Sequence, residues 1–198
     1  MLARMSAMDT AVSIALGIGL AAAAGFRVFV PLLVAGIAAH TGHLHLGDNF
    51  AWLGSITAIT MLGVAAVVEV LAYYVPAVDN LLDTITAPLA LVAGVVLSAA
   101  VIADLPPLIK WSTAVISGGG AAAITQGVTM LVRAKSTAFT AGLGNPVVAT
   151  AEMIAAAIVA LLAVLAPVIA VALVAAFCWL SWWLVRKFLR GYGGARRT

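Results

Sequence analysis

Charge is nearly absent from the long apolar stretches of this chain, and that scarcity decides what it can fold into. Only 9% of the 198 residues are Asp, Glu, Lys or Arg, while 65% are hydrophobic. A soluble domain carries about 25% charge and needs it to cover its surface. The composition therefore excludes a soluble globular domain, a disordered chain and a conventional nucleic-acid binder. What remains is a polytopic membrane protein with the lipid bilayer as its main partner.

Crossing ~30 Å of hydrocarbon takes about 20 helical residues. About six crossings would use most of the chain, leaving no room for a soluble catalytic domain. The expected fold class is all-α, a transmembrane bundle of about six spans in one integral-membrane domain, 1–198. Residues 1–10 form a short N-terminal cytoplasmic segment, 11–188 the membrane bundle and 189–198 a basic cytoplasmic tail.

The first apolar run, 11–39, is too long for one simple span and is interrupted by Gly17, Gly19, Gly25, Arg27 and Pro31. Arg4 and the alanines 21–24 imitate a secretory signal, but the apolar character continues well past any cleavage point, which favours a retained span. The second run is 52–76. In 78–85 the apolar residues recur at helical spacing, with Asp79, Asn80 and Asp83 on the other face, which suggests a short interfacial helix. The third run, 87–103, ends at Pro106 and Pro107. The fourth, 108–131, contains Gly118, Gly119 and Gly120, and a loop follows at 135–145. The fifth is 146–166. Pro167 allows a turn or a kink; the turn is preferred, because 147–184 is twice the length of a span. The sixth, 168–184, ends in an interfacial anchor of Trp179, Trp182 and Trp183.

The formal charge of +3 does not require an anionic partner. Half of the ten basic residues (Arg186, Lys187, Arg190, Arg196 and Arg197) follow the last apolar run, as the positive-inside rule predicts. Six spans put both termini on the cytoplasmic side of a cell membrane, together with Arg133 and Lys135, and leave Lys110 outside. A five-span layout with Pro167 as a kink is the rival. Spans one to three also resemble spans four to six in layout, each set opening with a Gly-interrupted span, around Gly17 and Gly19 and around Gly118 to Gly120. This suggests a 3+3 inverted repeat, with these glycines and Gly25 giving backbone access to a central site. The alternative is that small residues simply allow close helix packing.

A charge inside a span costs about 2.5–3.5 kcal/mol, which makes Arg27, Glu69 and Glu152 the informative positions. Gln126 and Arg133 are seven apart and share a helix face, and Arg133 can meet Glu152 or Glu69. These five residues either line a substrate path or pair with one another and with freed backbone groups. Asp79 and Asp83 lie four apart, a spacing that could hold Mg²⁺ on a lipid phosphate, although membrane transferases need more carboxylates than this. His40, His43 and His45 crowd one outer loop and are candidate ligands for Zn²⁺ or Cu²⁺. Cys178 lies in an apolar run and reads as an inert thiol. No triad, phosphate loop or dinucleotide fingerprint is present, and no cofactor is expected.

Several phrases together resemble the DUF4126 family of small multi-span prokaryotic inner-membrane proteins. They are Gly25-Phe26-Arg27 with Pro31, Phe50-Ala51-Trp52-Leu53, Glu69 followed by Tyr73-Tyr74-x-Pro76, and Asp79-Asn80-x-x-Asp83. Lys110-Trp111, the Gly118 to Gly120 triplet, Gln126, Arg133 and Gly144-Asn145-Pro146 with Glu152 complete the set. The resemblance covers nearly the whole chain and implies a multi-span inner-membrane protein. It brings no activity with it.

The residues point first to a small transporter or channel-like protein for a small or anionic solute. The alternatives are a membrane-embedded lipid- or phosphate-handling enzyme using Asp79 and Asp83, and a structural or assembly protein whose charges only pair internally. A chain this short leaves room for a homo-oligomer to enclose a path.

Overall fold

A computed structural model describes the backbone of residues 2–74, 76–102 and 105–194. Side chains are described for these except 2–8, 76–81, 83, 181, 184, 185 and 187–194. Eight α-helices carry the described chain, and no strand occurs among the described residues. They are α1 (Leu2–Phe26), α2 (Phe29–His40), α3 (Ile56–Ala72), α4 (Pro76–Val101), α5 (Pro107–Thr113), α6 (Gly120–Thr140), α7 (Asn145–Leu165) and α8 (Pro167–Gly194). A 3-10 helix, Asp48–Gly54, precedes α3, and a π-helical segment, Ala114–Gly119, joins α5 to α6. Four helical stretches are long and apolar enough to cross a membrane: Asp9–Phe26, Thr84–Val101, Pro107–Thr140 and Asn145–Leu165. The 3-10 helix and α3 make a fifth if their 64° bend is counted as one span.

The first apolar run is two helices, because α1 ends at Phe26 and α2 begins at Phe29, with Arg27 and Val28 in the turn between them. α2 has 12 residues, about 18 Å of helix, well short of a full crossing. Residues 78–85, expected as a separate interfacial helix, instead open α4, which runs without a break through Pro88. The missing N–H of an intrahelical proline is tolerated where neighbouring helices support the backbone. The expected 135–145 loop shrinks, because α6 continues to Thr140. The turn that remains uses left-handed geometry at Ala141 (φ 51°) and Gly142 (φ 88°). At Pro167 the chain turns, with Ala166 at φ −150° and ψ 71° between α7 and α8. Phe177 and Glu152 lie on opposite sides of that turn yet line one cavity, so α7 and α8 form an antiparallel hairpin.

Close approaches set the helix directions. A Cβ on Gly17 would lie 2.8 Å from Ser98 Oγ, and Gly94 faces Ala21, so α4 runs against α1. A Cβ on Gly25 would lie 2.6 Å from Ala122 O, and Gly118 sits against Gly94 and Ser98. α6 therefore runs in the same direction as α1, whereas inverted repeat units would oppose them. Gly19 meets both Ala163 and Ala170, and Phe26 meets Phe177 edge-on at 5.3 Å. α8 is thus also parallel to α1. Val34 and Ala38 of α2 line a pocket with Leu161 and Leu165 of α7, so α2 folds back alongside α1. The core between these helices is built of alanine and leucine, with Leu20, Ala35, Leu97, Ala160 and Ala163 among its buried members. Small side chains let the backbones come close, which is how helices associate when lipid removes the hydrophobic drive.

Candidate functional site

The break between α1 and α2 frees backbone N–H groups inside the bundle, and in an apolar layer each must find a partner. Glu69, on the last turn of α3, supplies it. Its Oε1 accepts from the Val28 N–H at 2.9 Å and its Oε2 from the Phe29 N–H at 3.1 Å. A carboxylate at a helix N-terminus also meets the positive end of the helix dipole. Glu69 is buried, so this cap is shielded from solvent.

Arg27, at the turn itself, is 1% exposed. Its Nη2 donates to Ala149 O at 2.9 Å and lies 3.4 Å from Glu152 Oε2. Glu152 sits seven residues into α7, about 10 Å along its axis. Arg133 of α6 meets the same carboxylate edge-on, with Nε donating to Oε1 at 3.0 Å and Nη2 pairing with Oε2. This bidentate fork is the strong form of an arginine–carboxylate contact. The Tyr73 ring joins the two cations, with the Arg27 and Arg133 guanidinium carbons 3.8 and 4.0 Å from its centroid. The Tyr73 hydroxyl is 3.0 Å from Thr86 Oγ1. Two formal positive and two formal negative charges therefore share one buried site, contributed by the α1–α2 turn, α3, α6 and α7.

One group in the site is unspent. Arg27 Nε and Nη1 are buried and have no hydrogen-bond partner among the described residues. A buried donor left without a partner costs about 1–3 kcal/mol, and more when it is charged. Among the described residues, Ser98 Oγ is also a buried side-chain atom without a hydrogen-bond partner, and it lies between Gly17 and Gly118.

Arg27, Glu69, Arg133 and Glu152 are thus brought together. Gln126 is buried two turns before Arg133 on the same face of α6. Gly17, Gly19, Gly25 and Gly118 sit where a Cβ would come within 2.5–2.8 Å of a neighbouring helix, and at Gly119 it would come within 3.1 Å of Val95. They are close-packing positions, while Gly120 has nothing within 4 Å. His40 Nδ1 is 2.9 Å from Gly54 O and His43 Nδ1 is 3.0 Å from Thr41 Oγ1. Among the described residues, these histidines and His45 do not gather with other ligand-type side chains into a metal site. The side chains of Asp79, Asn80 and Asp83 lie outside the described residues.

Tyr73, Thr86 and Asn145 belong to the site region without being expected there. Tyr73 follows Glu69 by one helical turn, the spacing that stacks side chains on one face. Asn145 holds the start of α7 to α6, its Nδ2 donating to Thr137 Oγ1 at 3.1 Å.

A cavity of about 550 Å³ between α6, α7 and α8 reaches Glu152 from the side. Its other lining residues are apolar except Thr125 and Thr129. Both hydroxyls donate to carbonyls of their own helix, Ala121 O and Gln126 O, each at 2.9 Å.

The profile of a family described as a domain of unknown function (DUF4126) fits residues 14–187. No curated protein and no solved structure matches the chain.

Proposed function

Because the chain belongs to the DUF4126 family and its long apolar helices are those of a membrane protein, we propose that it is a small transporter for a small anionic solute, with Arg27 as the solute's contact. The observation that carries this reading is the fully buried guanidinium at a helix break, with Nε and Nη1 unspent. Broken helices that present polar groups at membrane depth are a recurrent way to build a solute site. Glu152 and Arg133 then act as the latch of a closed state. An entering anion competes with Glu152 for Arg27, and Glu69 holds the α1–α2 turn while it does so.

The layout proposed with it is that of an inner-membrane protein. The Arg133 end of α6, with Lys135, and the basic end of α8 lie toward the cytoplasm, as loop charge favours. Since α8 runs parallel to α1, this orientation sets the start of α1 on the opposite face rather than beside the tail. The α1–α2 hairpin enters and leaves from that face, and α3, α4, α5–α6, α7 and α8 cross. This replaces six even spans, and the parallel run of α1 and α6 gives the inverted repeat no support.

The test is flux in reconstituted liposomes across a panel of small anions. Wild type should move at least one of them, and Arg27→Ala should abolish that movement. Normal flux after Arg27→Ala combined with Glu69→Gln removes the reading. A structural or assembly role is the second reading. It is favoured by the mutual satisfaction of Arg133 with Glu152 and of Glu69 with backbone. Under that reading, apolar replacement of both Arg133 and Glu152 leaves cellular function intact.

A further inference from the structure

Arg27 commits one of its three side-chain nitrogens to hydrogen bonding. Nη2 donates to Ala149 O at 2.9 Å and lies 3.4 Å from Glu152 Oε2. Ala149 and Glu152 are three apart on α7, so both partners stand on one face of that helix. A guanidinium carries five N–H groups, and Nη2 has two of them. The others, on Nε and Nη1, are buried and unspent.

The shape of the group says which anion these donors suit. A guanidinium is a flat, rigid fork. Nη2 belongs to both of its open edges, beside Nε on one and beside Nη1 on the other, because Cδ closes the third. Each edge therefore has one engaged nitrogen and one unspent one. The short bond to Ala149 O holds the group on α7. The Glu152 contact is longer than a charge-assisted hydrogen bond, about 2.7–2.9 Å, and that carboxylate is already held by Nε and Nη2 of Arg133. Glu152 can leave Arg27 and keep its fork on Arg133. The edge it vacates then presents two parallel N–H groups.

The approach is restricted as well. The Arg27 guanidinium carbon is 3.8 Å from the Tyr73 centroid, so the ring covers one face of the cation. The unspent nitrogens are closed to solvent, which leaves room only for a small ion entering in the guanidinium plane. Two oxygens in that plane meet both donors along their N–H directions, whereas a spherical halide meets neither. A tetrahedral dianion pushes oxygens out of the plane toward the ring, and it buries a second charge.

We propose that the solute of the Arg27 site is a small, singly charged planar oxyanion, the class of carboxylates and nitrate, and that the site rejects halides. This rests on the transport reading above. The ion takes the edge that Glu152 leaves, while Arg133 retains Glu152 and Ala149 O keeps Arg27 at the turn.

Osmotic swelling of proteoliposomes, followed by light scattering, tests it. Potassium salts with valinomycin make anion entry the limiting step. The probes are nitrate, glycolate, chloride and sulfate, each corrected for protein-free vesicles. Wild type should admit nitrate or glycolate at least about tenfold faster than chloride or sulfate, the worth of one hydrogen bond to a charged group. Nitrate ahead of glycolate assigns an inorganic oxyanion and the reverse a carboxylate; either supports the class. Arg27→Lys keeps the charge without the fork and should bring chloride within about twofold of the planar ions. Chloride or sulfate entering wild-type vesicles as fast as the planar ions overturns the proposal and leaves the transport reading standing. An undiminished preference in Arg27→Lys does the same. No entry of any of the four ions removes both. The wild-type ratio decides the matter even where Arg27→Lys does not fold.

Discussion

Replacing Glu152 by Gln removes the one carboxylate that two buried guanidiniums share. In the native site Glu152 receives Arg133 through both of its oxygens and Arg27 through one, at 3.4 Å. The variant keeps the shape but leaves Arg27 and Arg133 facing each other across Tyr73, with Glu69 as the remaining carboxylate of the site among the described residues. Breaking a buried pair by removing one partner costs about 3–5 kcal/mol, because a buried charge is left uncompensated. That is a fall of about two to three and a half orders of magnitude in the folding constant. The assay is reversible unfolding in mixed detergent micelles with increasing dodecyl sulfate, followed by circular dichroism. The double variant Arg133→Met with Glu152→Met removes one charge of each sign and leaves Arg27 balanced by Glu69. It should lie within ~1 kcal/mol of wild type, since a buried pair gains little over well-packed apolar residues. A single variant within ~1 kcal/mol of wild type, or a double variant as unstable as the single one, would refute the view that these charges are desolvated and mutually dependent.

The cap on α2 gives a second expectation. Glu69→Ala should expose the Val28 and Phe29 amides to exchange and cost about 2–6 kcal/mol for two orphaned donors; Glu69→Gln should cost about half of that. Among the glycines, Gly118→Ala forces a Cβ to 2.5 Å from Ser98 Cβ and should destabilise by about 1–3 kcal/mol in the same unfolding assay. Gly120→Ala meets nothing within 4 Å and should be neutral or stabilising by about 0.5–1 kcal/mol. Tyr73→Phe should lose the hydroxyl contact with Thr86, about 1 kcal/mol. Tyr73→Leu also loses both ring–guanidinium contacts and should be less stable than the Phe variant by a further ~1–2 kcal/mol.

Arg27, Glu69 and Glu152 stood out in the sequence because a charge inside an apolar run has no cheap explanation, and all three converge on the site. The pairing of Arg133 with Glu152 was one of two geometric options, since equal depth on neighbouring spans is readable while rotation about a helix axis is not. Glu69's partners were hidden for another reason. They are backbone amides, and a backbone amide leaves no mark in a sequence. Tyr73 was masked by its aromatic type, which at membrane depth reads first as an interfacial anchor. The α1–α2 break had visible causes in Gly25 and Pro31. Its direction, a fold back along α1 rather than a kink, depends on the Glu69 carboxylate from a distant helix. The acidic first turns of α4 misled because their amphipathic pattern changes at Thr86 and Pro88 to an all-apolar one. The helix continues through that change without regard to polarity.

The π-helical segment at Ala114–Gly119 bears on how the length of this chain can vary. A π-bulge holds one residue more than an α-helix needs over the same rise, so the helices on either side keep their facing. Deleting one residue there, Gly119 for example, lets the segment relax to an ordinary α-helix while Gln126 and Arg133 still point where they did. Deleting one residue between Gly120 and Arg133 instead turns Arg133 by about 100°, out of reach of Glu152. Single-residue deletions should therefore be accepted within this short stretch and rejected immediately after it. Gly118-Gly119-Gly120 is thus the place where α5–α6 can lose length and keep its partners.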